Sequence, residues 1–291
     1  MADPATLTDA FEAHRAHLRS VAYRMLGSLS EADDAVQETW IRMSRAGTAG
    51  VENLGGWLTT VTARVCLTTL RARRAHPQEA LDGHGPEPIV DPAGGTDPEH
   101  EALLADSVGF ALLVVLDTLS PAERLSFVLH DMFAVPFEEI AEMTGRSPAA
   151  ARQLASRARR RVRSGAPAPE PDLSRQQEVV GAFMAASREG DLDRLVAVLD
   201  PGVLLRTQTP DGRHEVRGAA EVAGQAAFWS RTLGRDLERR PVLVNGAAGI
   251  LALRDGTPVS LMGCTVVGDR ILAIDILADP VRLAAMGLGD R

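Results

Sequence analysis

Two stretches rich in proline and glycine divide this chain of 291 residues. The first, 76–98, holds five prolines, four glycines and five acidic residues, and it has no arginine. The second, 165–172, alternates proline with small or acidic residues, which favours an extended and semi-rigid backbone. Because neither stretch carries a hydrophobic period, we expect a flexible acidic linker and a proline-rich linker between three folded parts. These parts are residues 5–75, 99–164 and 173–291.

The hydrophobic periods differ between the three parts. In the first two parts, apolar residues recur every three or four positions, as they do in amphipathic helices. Ser120 and Glu123 have the spacing of a capping box, which marks the start of a helix. The third part begins with helices and continues with β-rich runs, which are separated by hairpin signals such as Asn245-Gly246. The sequence therefore predicts a multidomain protein: two all-α domains followed by an α+β domain with a curved antiparallel sheet.

Charge is strongly segregated along the chain. The net charge is −8, all 31 basic residues are arginine, and seven of them fall within 143–165, which contains no acidic residue. The preceding short helix, 137–145, is acidic and ends in glycine, so the two segments form a helix-turn-helix pattern. Seven arginines in so short a segment repel one another unless a polyanion compensates, and the arginine fork suits phosphate and guanine. The pattern predicts DNA binding, and the alternative is a solvated basic helix face.

Several classes of protein find no support in this sequence. Cys66 and Cys264 are far apart and outside any CxxC pattern, so we expect no disulfide, no metal site and no cofactor. No run approaches the roughly 18 apolar residues of a membrane-spanning helix. The N-terminus carries Asp3 and Asp9 where a signal peptide has positive charge. We therefore expect a cytoplasmic protein without a membrane partner.

Several stretches resemble the extracytoplasmic-function (ECF) RNA polymerase sigma factors. Region 2 of that family is similar to residues 34–42 and 57–64 and to the basic end at 71–74. Region 4 is similar to residues 119–124, 137–141 and 156–159. The third part resembles a SnoaL-like (nuclear transport factor 2-like) domain, mainly at 242–246 and 274–280. The order of the parts is similar to that of the SigJ-like subgroup, which carries such a domain at its C-terminus.

The resemblance implies an alternative sigma factor, not an enzyme, that binds core RNA polymerase and promoter DNA and directs transcription initiation. It also implies that the C-terminal domain modulates activity in cis, and we expect the free chain to be a monomer. The family places the polymerase contact on Asp33, Asp34, Gln37, Glu38 and Arg42. This assignment has a structural alternative, because the helix dipole favours acidic side chains in the first turn of any helix.

Promoter contacts map onto two further segments. Candidates for the minus-10 element are Asn53, Thr60 and Arg64, and the basic end adds Arg71, Arg73 and Arg74 to the candidate DNA contacts. Candidates for reading minus-35 bases are Arg152, Gln153, Ser156 and Arg157, of which Arg and Gln suit guanine and adenine edges. We assign Arg159, Arg160 and Arg161 to phosphates, which position a protein without specifying sequence. Trp40 and Trp57 are expected in the core rather than stacked on bases.

The third part admits a second function class. Its fold elsewhere holds a carboxylate general base in an apolar cone, and the candidates here are Asp211, His214 and Asp275, with Cys264 on a strand. No spaced pair of acid and base is visible, so we interpret Asp211, His214, Asp275 and Asp279 as contacts of a regulatory domain. The alternative is a DNA-binding regulator whose cone binds a small-molecule ligand or retains enzyme activity. Such a regulator would not need region 2.

Overall fold

The computed structural model describes residues 4–48, 50–75, 85–95, 97–104, 109–166, 169–233 and 237–288. Packing divides the chain into two compact units. The first unit comprises residues 1–87, 102–106 and 115–163, and the second comprises 88–101, 107–114 and 164–291. This division differs from the three parts that the linkers predict, because segments that precede the helix-turn-helix pack with the C-terminal part.

The first unit begins with three helices, α1 (Pro4–Leu26), α2 (Leu29–Ala46) and α3 (Leu54–Ala75). Apolar side chains from all three meet in one core, formed by Phe11, Leu18, Val36, Met43 and Leu58. Trp40 and Trp57 pack against this core, and the Trp40 ring meets Phe11 edge to face, with ring centroids 5.2 Å apart. Both tryptophans therefore serve the core, as their helical spacing predicts.

The helix-turn-helix follows two short helices, α4 (Pro98–Leu104) and α5 (Phe110–Asp117). It consists of α6 (Pro121–Phe127), a π-helical turn (Val128–Met132), α7 (Phe137–Thr144) and α8 (Pro148–Gly165). The predicted capping box is present: the Ser120 hydroxyl accepts the N–H of Glu123, and the Glu123 carboxylate accepts the N–H of Ser120. Gly145 ends α7 with a φ of 66°, a left-handed conformation that glycine adopts without strain. Glycine therefore permits the tight turn into α8.

The second unit is built on a seven-stranded sheet in the order β1-β4-β5-β6-β7-β2-β3. The strands are β1 (Val90–Pro92), β2 (Leu199–Thr209), β3 (Gly212–Arg217), β4 (Glu238–Val244), β5 (Ala247–Arg254), β6 (Thr257–Val267) and β7 (Arg270–Leu277). Strands β2 and β7 pair in parallel, whereas the other neighbours are antiparallel. The expectation of a purely antiparallel sheet is therefore wrong at this pair.

Helices cover both faces of this sheet. On one face lie α9 (Leu173–Glu189), α10 (Leu192–Val198) and α11 (Ala219–Leu233), around a core that includes Phe183 and Ile274. On the other face, α12 (Pro280–Ala285) and the start of α5 bury a core that includes Phe110 and Leu283. The predicted α+β architecture is confirmed. None of the described helices is both long enough and apolar enough to cross a membrane.

The segment 76–98 differs from the flexible linker that its composition predicts. Residues 76–84 and 96 lie outside the described residues, but β1 within the segment pairs with β4. Ile89 donates its N–H to Oδ1 of Asn245 at 2.9 Å and accepts the N–H of Asn245 at 2.8 Å. Without β1, strand β4 would be an open sheet edge with unpaired backbone groups. The expectation of flexibility is therefore wrong for residues 89–92.

A buried ion pair joins the neighbouring strands β2 and β7. Arg206 and Asp275 are opposite each other in the register, and they are 3% and 1% exposed. Nε and Nη2 of Arg206 donate to the two oxygens of Asp275 at 2.6 and 2.8 Å, and Nη1 donates to the Gly165 carbonyl at 3.1 Å. Burial raises the pKa of Asp275, and the arginine opposes that effect. Loss of either partner would leave an uncompensated buried charge.

We predict that Asp275→Ala lowers the free energy of unfolding of the second unit by about 3 to 5 kcal/mol. Asp269→Ala is the control, because Nε of Arg175 donates to Asp269 at 2.8 Å but the Asp269 side chain is 72% exposed. Its loss should cost less than about 1 kcal/mol. Hydrogen exchange at the amides of β2 and β7 measures both values. Equal losses of unfolding free energy in the two variants would show that burial of the Arg206–Asp275 pair adds nothing to the stability of the second unit.

Candidate nucleic-acid and polymerase interface

Helix α2 carries the five residues that are predicted to contact polymerase. Three of them, Asp33, Glu38 and Arg42, take part in ion pairs. Nε of Arg19, on α1, donates to Asp33 at 2.6 Å, and Nε of Arg42 donates to Glu38 one turn earlier at 2.8 Å. These contacts fix the direction of two carboxylates on the surface of the helix.

The remaining two side chains of this set, one carboxylate and one amide, are exposed to solvent. Asp34 and Gln37 are exposed and lie one turn apart, so they share a face of α2. Within the described part of the chain, neither side chain has a hydrogen-bond or ion-pair partner. The helix thus presents an open polar patch beside anchored charges.

Helix α3 carries the minus-10 candidates. Oδ1 of Asn53 accepts the N–H of Gly56 at 3.0 Å, which caps the first turn of the helix. Asn53 therefore has a structural role that its sequence position did not reveal. Thr60 is half-buried, Arg64 is exposed, and the two lie one turn apart on the same face.

The basic end of α3 separates into two groups. Arg71 and Arg74 are exposed to solvent. Arg73 turns inward, where it contacts the Glu31 carboxylate and donates to the Leu26 carbonyl at 3.4 Å. Burial lowers the pKa of Arg73 below its ordinary value. The structure therefore leaves two of the three arginines accessible to a polyanion.

Helix α8 exposes one polar face and buries the opposite one. The buried side consists of small or apolar residues, which are Ala151, Leu154, Ala155 and Ala158. On the exposed face, Arg152 pairs with the exposed Glu138 at 3.1 Å, and Nη1 of Arg160 donates to the Ser156 hydroxyl at 3.3 Å. Gln153 is exposed beside them. The sequence predicts DNA contact for all four of these side chains.

Three further arginines of α8 lie against acidic residues of the same unit. Nε of Arg157 donates to Glu123 at 3.1 Å, and Nη1 of Arg161 lies 3.5 Å from the same carboxylate. Nε of Arg159 donates to Asp131 at 2.7 Å. Burial alone would raise the pKa of Glu123, but hydrogen bonds from Ser120 and Arg157 lower it below its ordinary value. These three arginines therefore hold α8 in place as well as carrying charge.

A buried arginine connects the helix-turn-helix to the three-helix bundle. Arg124, on α6, is 2% exposed, and its Nε donates to the Arg24 carbonyl on α1 at 3.1 Å. Burial lowers the pKa of Arg124 to about 10, and Asp117, at 3.8 Å, opposes this effect. The Arg24 guanidinium lies 5.1 Å from the centroid of the Phe133 ring, which adds a cation–π contact between the same two parts. No local sequence pattern signals this connection.

The four candidates in the second unit do not form one site. Asp275 alternates along β7 with Ile274 and Ile276. Both isoleucines pack around Phe183, on the face of the sheet that α9 covers, so the Asp275 carboxylate lies on the opposite face. Oδ1 of Asp279 accepts the N–H of Val281 at 3.0 Å and caps α12.

The remaining candidates are exposed or chemically inert. Asp211 and His214 are exposed at the turn into β3 and on that strand. Cys264 is buried among apolar side chains, and burial raises the pKa of its thiol to about 12. None of these candidates therefore supplies a general base that faces this apolar core.

Two protein-family models match parts of the chain. Residues 10–76 match the family Sigma-70 region 2, and residues 110–162 match Sigma-70, region 4. The ECF RNA polymerase sigma factor SigJ of Mycobacterium tuberculosis is 42% identical over 276 residues, which cover 91% of this chain and 86% of that protein. A probable ECF sigma factor of the same organism, SigI, is 34% identical over 94% of this chain and 93% of its own length.

A solved structure agrees over nearly the whole length. The crystal structure of the Mycobacterium tuberculosis extracytoplasmic function sigma factor SigJ superposes with a TM-score of 0.73 and 34% identity, covering 97% of this chain and 99% of that chain. Two helical sigma domains and a C-terminal SnoaL-like sheet domain are therefore common to both. This chain belongs to the ECF RNA polymerase sigma factors, which direct transcription initiation and are not enzymes.

Proposed function

We propose that α8 reads the minus-35 element of the promoter, that α3 contacts DNA at the minus-10 element, and that α2 binds core RNA polymerase. The observation that carries this proposal is the exposed face of α8. It presents Arg152, Gln153, Ser156 and Arg160 on the second helix of a helix-turn-helix, without an acidic residue in that helix. Such a helix suits the major groove, where arginine and glutamine discriminate guanine and adenine.

The arginines of α8 divide between reading and positioning. Arg152 and Gln153 lie near the N-terminal end of the helix, which enters the groove in this motif. Arg157, Arg159 and Arg161 are tied to Glu123 and Asp131, so their first effect is to fix the angle of α8 on the rest of the unit. Arg160 is exposed farther along the helix and suits a phosphate.

The free chain must open when it engages a complete promoter. The minus-35 and minus-10 elements are roughly 25 base pairs apart, which at about 3.4 Å per pair is about 85 Å. A compact unit of about 140 residues has a radius of gyration of about 14 Å and a diameter of about 40 Å. Because Arg124 holds both DNA surfaces within one such unit, we infer that this contact breaks on promoter binding.

The C-terminal domain is proposed to modulate activity in cis. Phe110 and Val114 lie within the matched region 4, yet both are buried in the core of the second unit. Strand β1, from the segment between the two sigma regions, completes the same sheet. The C-terminal domain thus restrains two segments of the sigma part through its own core, which supplies a physical route for regulation.

Three smaller assignments accompany this proposal. The chain acts in the cytoplasm, since it works together with RNA polymerase, and it is a monomer when free.

A small-molecule ligand in the C-terminal cone stays a prediction from the resemblance. Asp275, the strongest carboxylate candidate for such a site, lies on the other face of the sheet and is bound to Arg206. The proposal therefore includes no ligand for the cone.

Reversing the charge of the open patch on α2 tests the polymerase contact. We predict that Asp34→Arg with Gln37→Arg weakens binding to core polymerase by about tenfold or more, because positive charge replaces acidic and amide groups that face a basic partner. The matched control is Glu221→Arg with Gln225→Arg on α11, which changes the net charge by the same amount. Fluorescence anisotropy with labelled chain measures the affinities. Equal affinities for the two double variants would refute this surface.

Substitutions on α8 test the division between reading and positioning. Arg152→Ala and Gln153→Ala should each weaken binding to a minus-35 duplex by about 1 to 3 kcal/mol and relax base preference. Arg160→Ala should instead weaken specific and nonspecific binding in the same ratio and reduce the dependence on salt. Titrations with specific and scrambled duplexes at several salt concentrations separate the two effects. A uniform loss in all three variants would contradict the assignment of bases to the first half of α8.

A pair of phenylalanine variants tests regulation in cis. Phe110→Ala and Phe183→Ala each remove a nearly buried ring from the second unit, at a cost of about 3 to 5 kcal/mol, but only Phe110 belongs to region 4. We predict that Phe110→Ala changes promoter-dependent transcription severalfold at a temperature where both variants are folded, whereas Phe183→Ala leaves it near the parent level. Identical transcription by both variants would rule out coupling through α5.

A further inference from the structure

A cavity of about 560 Å³ lies in the first unit, between the end of α3 and the helix-turn-helix. Four arginines line it: Arg71 and Arg74 from α3, Arg146 from the turn before α8, and Arg157 from α8. The other lining residues are Ala75, Ser120, Pro121, Ala122 and Leu154. Within the part of the chain that the structure describes, the walls of this cavity therefore carry positive charge and no acidic residue.

Three of these arginines have no internal counter-charge. Arg71, Arg74 and Arg146 are exposed, and among the described residues their side chains form no ion pair or hydrogen bond. The fourth, Arg157, is fixed at the wall because its Nε donates to Glu123, and its side chain stays 49% exposed. Four like charges around one space repel one another, and an anion between them would relieve that repulsion.

The ordinary explanation for terminal arginines covers only part of this cluster. The helix dipole favours cations in the last turn of any helix, which accounts for Arg74. It does not account for Arg146 or Arg157, which come from different segments and line the same space.

A neighbouring cavity provides an internal contrast. It measures about 310 Å³ and is lined by Arg73, Arg74 and Arg124 together with Asp117. There, Arg73 contacts Glu31 and Arg124 lies 3.8 Å from Asp117, so two of its three arginines already face carboxylates. In the larger cavity only Arg157, one of four arginines, faces a carboxylate, so that cavity is the better anion site.

We propose that the larger cavity binds a free oligophosphate, the class that includes inorganic tripolyphosphate and nucleoside triphosphates. Guanidinium groups form paired, charge-assisted hydrogen bonds with phosphate oxygens, and several of them converge here. The volume lies within the roughly 300 to 1,000 Å³ that is usual for small-molecule sites. Binding would tie α3 to α8 in the closed unit. This site goes beyond DNA binding, because it exists in the free chain and its test requires neither promoter nor polymerase.

Calorimetric titration of the full chain with inorganic tripolyphosphate tests this site directly. In magnesium-free buffer at physiological salt, we expect saturable binding with a Kd below about 1 mM. The triple variant Arg71→Gln, Arg74→Gln and Arg146→Gln should bind at least about tenfold more weakly, because it loses three charged donors. Arg146→Gln alone should cause a smaller loss.

The matched control removes three exposed arginines from the second unit, Arg188→Gln, Arg217→Gln and Arg254→Gln. None of them lines the cavity, so this variant should bind within about twofold of the parent, since screened long-range charge contributes little. Circular dichroism and melting temperature verify that each variant is folded. A parallel titration with ATP identifies the source of the phosphate: tighter binding than tripolyphosphate indicates a nucleotide, and equal binding indicates the phosphate chain alone.

Two results would overturn the proposal. One is the absence of saturable tripolyphosphate binding below about 1 mM in the folded parent chain. The other is an equal loss of affinity in the cavity variant and the control variant, which would mean that net charge and not the cavity attracts the anion. Either result leaves the DNA-binding proposal standing, because that proposal depends on the exposed face of α8 and is measured with duplex DNA.

Discussion

The closed form of the sigma part depends on one buried arginine. Arg124 is removed from water, its pKa is lowered to about 10, and its Nε donates to a main-chain carbonyl of α1. A buried guanidinium is costly unless its donors are satisfied, and Nη2 of Arg124 is buried without a hydrogen-bond partner among the described residues. Because the same side chain would gain full hydration on opening, the contact suits a reversible clasp better than a permanent core.

The residues of α8 that we propose to bind DNA have acidic partners in the free chain. Arg152 rests on Glu138, and Arg157 and Arg161 rest on Glu123. The Arg152–Glu138 pair is exposed, and an exposed ion pair stabilises by about 1 kcal/mol or less, so a phosphate could replace that carboxylate at small cost. Glu123 is only 7% exposed, so removal of its arginine partners would leave a buried carboxylate with less compensation. In the function that we propose, these acidic partners hold α8 in place until DNA replaces them.

The second unit incorporates two segments that come from the sigma part of the chain. A segment that composition marks as a linker supplies an edge strand, and the first helix of region 4 supplies Phe110 to the core beneath the sheet. Packing thus ties these segments of the sigma part into the core of the second unit, which is the physical basis of the regulation in cis that we propose.

Local patterns predicted the elements whose determinants are close in sequence. The Ser120–Glu123 capping box, the Gly145 turn and the hairpin at Asn245 each depend on a few adjacent residues, and each appears where it was expected. Strand β1 was missed because its three residues include a proline and gain their order only from β4. Strand β3 was missed because it is mostly exposed and lacks an apolar alternation.

Long-range partners explain the other omissions at the candidate site. Arg124 and Arg24 are 100 positions apart, so nothing local distinguishes the buried arginine from the exposed ones around it. Glu123 was recognised as part of a capping box, but its second role toward Arg157 requires the packed position of α8. The family resemblance assigns Asn53 to DNA, and its cap on α3 escapes prediction because the cap depends on the backbone direction at that turn. In each case the tertiary environment determines what the side chain does.

The central claim is that the two DNA-binding surfaces lie within one closed unit in the free chain and separate on the promoter. Energy transfer between dyes on Ser44→Cys and Glu142→Cys measures this distance directly, since both positions are exposed. Cys66 and Cys264 are buried, and burial raises the pKa of each thiol to about 12, so they should not label. The account predicts high transfer in the free chain and a large decrease when core polymerase and promoter DNA are added. Low transfer in the free chain, or transfer that is unchanged in an actively initiating complex, would contradict it.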